Sequence, residues 1–160
     1  MDKIFVGKIV STHGIKGEIR ILSDFEYKSK VFVVGKKLVI DDKEYLIKSY
    51  RHHKNFEMVT LDDYNNINDV LFLLKKNVYI DKECLSLDDN EVLDDELITY
   101  KVVTTDGKVG KVNEVFFAGP TNKIIRVFID KEILIPFSSP MLKTIDKDKK
   151  EIIIELIEGM

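Results

Sequence analysis

The sequence offers few of the residue types that catalysis by a nucleophile, an acid–base pair or a metal ion would need. It has three histidines and one cysteine in 160 residues. His52 and His53 are adjacent, and successive side chains of a strand point to opposite faces, so they cannot both bind one ion from regular β structure. Cys84 is single and can form neither a disulfide framework nor a zinc quartet. These observations predict a protein that is not an enzyme and needs no metal or cofactor.

The glycine-punctuated segment 13–17 (HGIKG) has two interpretations. The backbone of residues 14–17 could cradle a phosphate, but the GxxxxGK[ST] and GxGxxG motifs are absent from the sequence, and four residues between two strands more often form a hairpin turn. Lys16 in this turn and Arg20 on the polar face of the next strand can place two cations near a phosphate backbone. Such contacts give affinity and salt dependence without sequence readout. His13 either stacks on RNA or fixes the turn to the rim of the fold.

The densest basic cluster is the run Arg51, His52, His53 and Lys54, which we place at a hairpin tip. Charged hairpin tips serve solubility in many proteins, and four such groups together also favour contact with RNA. Tyr27, beside Lys28, either supplies a stacking platform for bases or packs against Phe25.

The two halves of the chain differ in charge. Residues 1–80 carry 14 Lys and Arg against 11 Asp and Glu, whereas residues 81–160 carry 11 against 17. Eight acids and a single lysine lie within residues 81–96, which we call the acidic segment. A basic half suits a polyanion and an acidic half suits a basic protein, although an excess of this size also arises by chance.

Apolar residues beside the acidic field are the candidate anchors for a basic protein. Charge speeds the capture of such a partner, and apolar contacts supply most of the affinity. The candidates are Val92, Leu93, Asp94, Asp95, Phe116 and Phe117. Because consecutive side chains of a strand alternate between faces, at most one of the two phenylalanine rings should be free. Pro136 and Phe137 form either an interface edge or part of a core.

The elements that must position these residues are mostly strands. Alternating apolar residues predict strands around Ile4–Ile9, Ile19–Ile21, Phe32–Ile40, Tyr45–Tyr50, Phe56–Leu61, Val78–Ile80, Leu97–Thr104, Val109–Phe117, Asn122–Asp130, Glu132–Phe137 and Glu151–Leu156. Residues 67–76 break this period and predict one short helix, with Asn65, Asn66 or Asn68 as its cap and two lysines in its last turn. Asp106-Gly107 predicts a hairpin. The pattern predicts an all-β protein of two small β-barrels, with domains at 1–81 and 96–160 and an acidic linker at 82–95.

Residues 7–21 (GKIVSTHGIKGEIRI) closely resemble the opening of the RimM family of ribosome maturation factors. Similarity continues through residues 66–80, residues 107–112 (GKVGKV), the run Leu134–Phe137, residues 141–146 and the terminal Glu158-Gly159. The resemblance implies an N-terminal barrel similar to the second domain of translation elongation factors, followed by a PRC-barrel. Where the family carries a Tyr-Tyr pair before its second domain, this chain has Val92-Leu93. The family's GxxD-like turn is Gly119–Asn122 here, with an amide in place of the carboxylate.

The same resemblance implies a function. RimM proteins bind the head of the assembling 30S subunit through 16S rRNA and a basic head protein, the nineteenth of the small subunit, and promote late assembly and 16S rRNA processing without catalysis. The sequence has no apolar run of the roughly 20 residues that a bilayer span requires and no signal-peptide h-region, which predicts a cytoplasmic protein that binds no membrane. We also expect a monomer. The alternatives are a general RNA- or protein-binding β-barrel module with no maturation role, and an enzyme or small-ligand barrel.

Overall fold

Alternation of apolar and polar residues in the first half of the chain produces six strands that close into a barrel. The computed structural model describes residues 2–157, and Glu158-Gly159 lies outside them. In the order in which they are hydrogen-bonded around the barrel, the strands are β1 (Lys3–His13), β2 (Glu18–Leu22), β5 (Phe56–Leu61), β4 (Lys43–His53), β3 (Lys37–Ile40) and β6 (Asn77–Asp81). The β1–β6 pairing closes the ring and leaves no strand edge within this sheet.

Two of the register shifts in the barrel bear on which side chains of β1 and β4 face outward. The β1–β2 ladder shifts between Ile9 and Ser11, and the β4–β5 ladder shifts between Ile47 and Ser49. Ile9 and Ile47 are buried in the barrel core, whereas Ser49 and every later residue of β4 are exposed. A β-bulge inserts one extra residue and so changes the face that follows. The far end of β4 therefore projects polar side chains from the barrel.

The predicted helix over 67–76 is shorter than expected. Helix α1 spans Ile67–Val70, and the chain continues as a 3-10 turn, Leu71–Leu73. Asn66 is the cap, since its side chain accepts hydrogen bonds from the backbone amides of Asn68 and Asp69 at 2.9 and 3.3 Å. Lys75 has a positive φ of 66°, and its backbone N–H donates to the carbonyl oxygen of Ile9 at 2.8 Å. Lys75 and Lys76 therefore lie beyond the helix and not in its last turn, where the sequence analysis predicted them.

The predicted strand Phe32–Ile40 was wrong in its first half. Only β3, Lys37–Ile40, is a strand, and a 3-10 turn at Lys28–Lys30 precedes it. Val31 and Phe32 are apolar because they fill the barrel core, at 0% and 2% exposure. Their burial imitates a strand pattern, but the turn that follows, with Gly35 at φ 91°, prevents a continuous strand.

The second unit is a six-stranded sheet in the order β10, β9, β8, β7, β12, β11. Its strands are β7 (Lys101–Thr104), β8 (Val109–Phe117), β9 (Lys123–Ile129), β10 (Lys131–Pro136), β11 (Leu142–Asp146) and β12 (Glu151–Ile154). The predicted Asp-Gly hairpin joins β7 to β8, with Gly107 at φ 93°. Strand β11 was not predicted as a strand. The β12–β7 pair is parallel, and its neighbours in the sheet are antiparallel.

The acidic segment is partly structured. It contains a 3-10 turn at Lys82–Cys84 and helix α2, Asp94–Leu97, so the predicted strand Leu97–Thr104 was wrong over its first four residues. The reason is local, because three acids in the first turn of α2 suit a helix N-terminus, and Leu97 is buried in the second core. The chain divides into compact units at residues 1–86 and 87–160. Among the described residues, no helix has the length and apolar character needed to span a membrane.

Candidate nucleic-acid and protein interfaces

The turn between β1 and β2 is held rigidly against the start of α1. Gly17 is buried at φ 83°, and a Cβ there would lie 2.7 Å from the carbonyl oxygen of Tyr64. The backbone N–H of Ile67 donates to the carbonyl of Ile15 at 3.0 Å. These contacts leave the Ile15 side chain 79% exposed, with exposed Lys16 beside it. The segment 13–17 is therefore a fixed hairpin turn that presents one apolar and one cationic side chain.

Strands β2, β5 and β4 bring together basic residues that are distant in sequence. Arg20 and Arg51 both lie opposite Met58 of β5, so they share one level and one face of the sheet. His13 lies opposite Glu18 on the same hairpin. We call this outer surface the cationic face and define it by His13, Lys16, Glu18, Arg20 and Arg51.

Side-chain bonds order the cationic face. Arg51 donates from Nε and Nη2 to the two carboxylate oxygens of Glu18 at 2.9 and 2.8 Å. A nitrogen of Arg20 lies 2.6 Å from Nδ1 of His13, and its guanidinium stands 5.8 Å from the ring centroid of Phe56. The hydrogen bonds from Arg51 hold the pKa of Glu18 below its usual value, and the same pairing raises the pKa of Arg51. The face thus carries one ion pair and, in Lys16 and Arg20, a surplus of positive charge.

The β4–β5 hairpin divides the predicted basic cluster between two sides. Lys54 occupies the tip at φ 55°, and His53 and Lys54 are exposed. His52 lies opposite Glu57 in the β4–β5 ladder, and its Nδ1 is 2.6 Å from a carboxylate oxygen of Glu57. Glu57 is buried, with 3% of its surface exposed. Tyr50 lies close to the same carboxylate. Burial raises the pKa of its hydroxyl, and the Glu57 carboxylate raises it further. His52 is therefore bonded to Glu57 on the opposite side of β4 from Arg51, and its contact with RNA, expected from the basic cluster, stays a prediction.

A cleft lies beside the β1–β2 turn. Its volume is about 340 Å³. The turn supplies one wall and the strands β4 and β5 supply the other, where the hydroxyls of Ser49 and Thr60 are hydrogen-bonded to each other. The residues that line it are His13, Gly14, Ile15, Lys16, Glu18, Ser49 and Thr60. The linear sequence does not show this cleft, because Ser49 and Thr60 become its wall only through the β4 bulge and the pairing of strands.

In the second unit, a buried lysine bonds to Val92 and Asp94 near the end of the acidic segment. Lys123 is 5% exposed and donates from Nζ to the carbonyl of Val92 at 2.8 Å, and it also lies 2.8 Å from a carboxylate oxygen of Asp94. Its ammonium stands 4.8 Å from the centroid of the Phe137 ring. Nothing in the sequence distinguishes Lys123 from the exposed lysines, apart from its place among the apolar residues of a predicted strand.

The proposed protein anchors occupy different environments. Val92 is 1% exposed and belongs to the second core, so its side chain packs internally and the prediction that it protrudes as an anchor was wrong. Leu93 is half-buried at the start of α2, Asp94 is paired with Lys123, and Asp95 is exposed. Phe117 is 41% exposed, while Phe116 is half-buried with the guanidinium of Arg126 5.5 Å from its centroid.

The remaining alternatives are resolved by packing. Tyr27 is 8% exposed and meets Phe25 edge to face at 6.2 Å, and Phe137 packs against the second core. Within residues 2–157, no three His, Cys, Asp or Glu side chains gather where they could hold a metal ion.

The fold and these surfaces define the class of protein. It has two β units, the first with a cationic outer face and the second with residues 92–94 of the acidic segment bonded to its sheet. The family description "RimM N-terminal domain" matches residues 4–85, and "PRC-barrel domain" matches residues 89–160. The chain belongs to the RimM family.

Two relatives match this chain over nearly its whole length. The protein named ribosome maturation factor RimM of Staphylococcus aureus (strain MRSA252) is 35% identical over 165 residues, covering 99% of this chain and 98% of that protein. The protein of that name from Staphylococcus saprophyticus is 36% identical over 166 residues, with the same coverage. A crystal structure described as a putative 16S ribosomal RNA processing protein RimM from Pseudomonas aeruginosa is 18% identical and covers 99% of this chain and 100% of its own, with a TM-score of 0.48.

Proposed function

We propose that this protein is a ribosome maturation factor that assists late assembly of the small subunit and processing of 16S rRNA. It would bind the head of the assembling particle with two surfaces, one for RNA and one for a basic ribosomal protein. Two relatives at 35% and 36% identity over nearly the whole chain carry the name ribosome maturation factor RimM, which supports this proposal.

The cationic face is the observation that carries the RNA half of the proposal. Lys16, Arg20 and the nearby hairpin-tip Lys54 form no ion pair with a carboxylate within residues 2–157, so their positive charge is available to a ligand. Cations in such an arrangement neutralise phosphates and release counterions, which gives affinity that falls with salt. Arg51 serves this face mainly by positioning, because Glu18 already occupies two of its donors.

The second unit supports the protein half. Lys123 bonds residues 92–94 of the acidic segment to the sheet, so the exposed carboxylate of Asp95 beside them has a defined position. Leu93 and Phe117 provide partly exposed apolar surface, which an interface needs beside a charged field. A strongly basic ribosomal protein is the complementary partner, and the nineteenth protein of the small-subunit head is the one we propose.

We propose that the protein acts without catalysis, as a cytoplasmic monomer. The site has the character of a binding surface: its charged side chains are bonded to one another or exposed, and none is paired with a candidate nucleophile in the part of the chain that the structure describes.

Sedimentation of cell extracts on sucrose gradients tests the proposal. The full-length protein should travel with immature small subunits and be absent from mature ones. The double variant K16E/R20E should leave the particle fraction, whereas K131E, an exposed lysine of β10, should stay. Equal association with immature and mature subunits would favour a general binding module, and absence from both would overturn the proposal.

The protein half needs its own variants. Because Val92 is buried, replacing it would disturb the core, so Leu93→Ser combined with Phe117→Ser is the informative change. We expect this variant to lose capture of the purified head protein while retaining RNA binding. Capture that is unchanged by both L93S/F117S and added salt would contradict the assignment of this surface.

A further inference from the structure

We propose that the cleft beside the β1–β2 turn binds one unpaired nucleotide of RNA. This inference rests on the proposed function, since it names what the cationic face holds. It goes further because it assigns a concave site, and not only an electrostatic surface, to the first barrel. The observation that carries it is the convergence of a cation, a carboxylate, two hydroxyls and an apolar side chain around one volume of about 340 Å³.

The size of the cleft selects a single nucleotide. Small-molecule sites have volumes of roughly 300 to 1,000 Å³, and this cleft lies at the lower end of that range. Nothing lies within 4 Å of a Cβ built on Gly14, so the mouth is open on the side of the turn. A duplex would have to lie across the mouth, because its bases are stacked and paired. An unstacked base from a loop or a single strand can enter.

The lining supplies a partner for each part of a nucleotide. Lys16 is exposed at the rim, where its ammonium can meet the phosphate. The hydroxyls of Ser49 and Thr60 form a paired donor and acceptor on the strand wall, which suits a ribose 2′-hydroxyl. Ile15, 79% exposed, offers an apolar surface to the face of the base. Such an exposed isoleucine on a rigid turn has no packing role in the barrel.

Glu18 gives the cleft a preference among bases. Its two oxygens each accept one hydrogen bond from Arg51, and each has a second lone pair available. The same bonds lower the pKa of this carboxyl, so it remains an acceptor at neutral pH. A carboxylate accepts from the amino groups of guanine, adenine or cytosine, whereas uracil presents two carbonyl oxygens beside its single N–H. We therefore expect uridine to bind most weakly.

Fluorescence anisotropy with the full-length protein tests this site. The probes are a labelled ten-nucleotide single strand of mixed sequence, an oligouridine of the same length, and the blunt ten-base-pair duplex of the mixed sequence. The variant Ser49→Phe places a ring in the cleft at an exposed strand position. Its control is Ser29→Phe, an exposed serine of the same barrel that does not line the cleft. The variant S49V/T60V removes both hydroxyls with little change of volume and keeps the test valid if S49F does not fold.

We expect S49F to weaken binding of the mixed single strand at least tenfold, and S49V/T60V to weaken it several-fold. Duplex binding should change less than twofold, S29F should match the unaltered protein, and the oligouridine should bind more weakly than the mixed strand. Equal losses for single strand and duplex, or no loss in folded S49F and S49V/T60V, would overturn the cleft. Either result would leave the proposed function intact as long as the unaltered protein still sediments with immature small subunits. Failure of that sedimentation would overturn the function itself.

Discussion

The two β units have six strands each, and the cations that we assign to binding or to structure have different environments in the two. In the first barrel, Lys16 and Lys54 lie on turns and Arg20 lies on an outward strand face. In the second unit, Lys123 is buried against the acidic segment, and Arg126 is held between Glu114 and Glu132 at 3.2 and 2.8 Å. On its cationic face, the first unit therefore presents positive charge that no carboxylate neutralises. In the second unit, Lys123 and Arg126 are each paired with carboxylates of the same unit.

This difference shows that net charge is a weaker guide to partners than the burial and pairing of individual groups. The first 80 residues have only three more cations than anions, a surplus that many proteins show by chance. Pairing makes it specific, because Glu18 neutralises Arg51 but leaves Lys16 and Arg20 charged on the same face. The same reasoning makes Lys123 a structural residue although it is chemically identical to Lys16.

Replacing the buried lysine should have the largest effect. Lys123→Met keeps the stem but leaves the Val92 carbonyl without the ammonium donor and Asp94 without its cation. We expect the free energy of unfolding of the second unit to fall by about 2 to 3 kcal/mol. The loss is smaller than for a fully buried ion pair, because Asp94 is partly exposed. Urea denaturation followed by methyl NMR signals of Ile125 and Ile152 measures it.

The matched control is Lys131→Met, an exposed lysine of β10, which should change stability by less than about 0.5 kcal/mol. Methyl signals of the first barrel, such as Ile19, should be unaffected by K123M. A loss of stability confined to the first barrel, or equal losses in both variants, would refute the distinction between the buried lysine and the exposed one.

The next largest effect should come from the turn that carries Lys16. Gly17→Ala combines a positive φ with a Cβ only 2.7 Å from the Tyr64 carbonyl oxygen, so we expect a loss of about 2 kcal/mol in the first barrel. Gly14→Ala has a positive φ but open space around it, and should cost about 1 kcal/mol. Thermal unfolding of both variants checks the order, and a G14A loss equal to that of G17A would show that packing on the turn is unimportant.

A smaller effect is expected on RNA affinity. Replacing Lys16 and Lys54 together by alanine should weaken binding of a single-stranded RNA several-fold at moderate salt. It should also reduce the slope of log K against log salt by about 0.7 for each phosphate that the protein no longer neutralises. Lys101→Ala, an exposed lysine of β7, is the control; it removes one positive charge from the second unit and should leave the slope unchanged. A larger effect of K101A would place the RNA surface on the second unit.

The smallest effect should be a pH-dependent one at Glu18. Hydrogen bonds from Arg51 lower the pKa of Glu18 from its ordinary value of 4.5, so the pair adds stability at neutral pH. That contribution should disappear as pH falls below 4.5 and through the lower pKa of the folded state. The melting temperature of Glu18→Gln should lie slightly below that of the unaltered protein at neutral pH and converge with it as the pH falls through the lowered pKa of Glu18. Glu83→Gln, an exposed glutamate, should show no such convergence.

Much of the fold followed from local patterns. Alternation located most strands, Asn66 was among the predicted caps, and Asp106-Gly107 identified the β7–β8 hairpin. The errors lay at apolar residues that are buried in a core but do not belong to a strand. Val31 and Phe32 are apolar because they fill the barrel core, and Leu97 is apolar because it packs in the second core as the last residue of α2. Element type there depends on the unit into which the side chains pack.

The amino-acid sequence alone determined the all-β class, the turns and the family, because these depend on local periodicity and on a motif of contiguous residues. Tertiary structure alone decided that Arg51 is paired with Glu18, that Val92 is internal, and that Ser49 and Thr60 face the turn across a cleft. The physical reason is that strand pairing and bulges bring together residues that are distant in sequence, such as His13 and Thr60, 47 positions apart, and a linear pattern does not show which face each one takes.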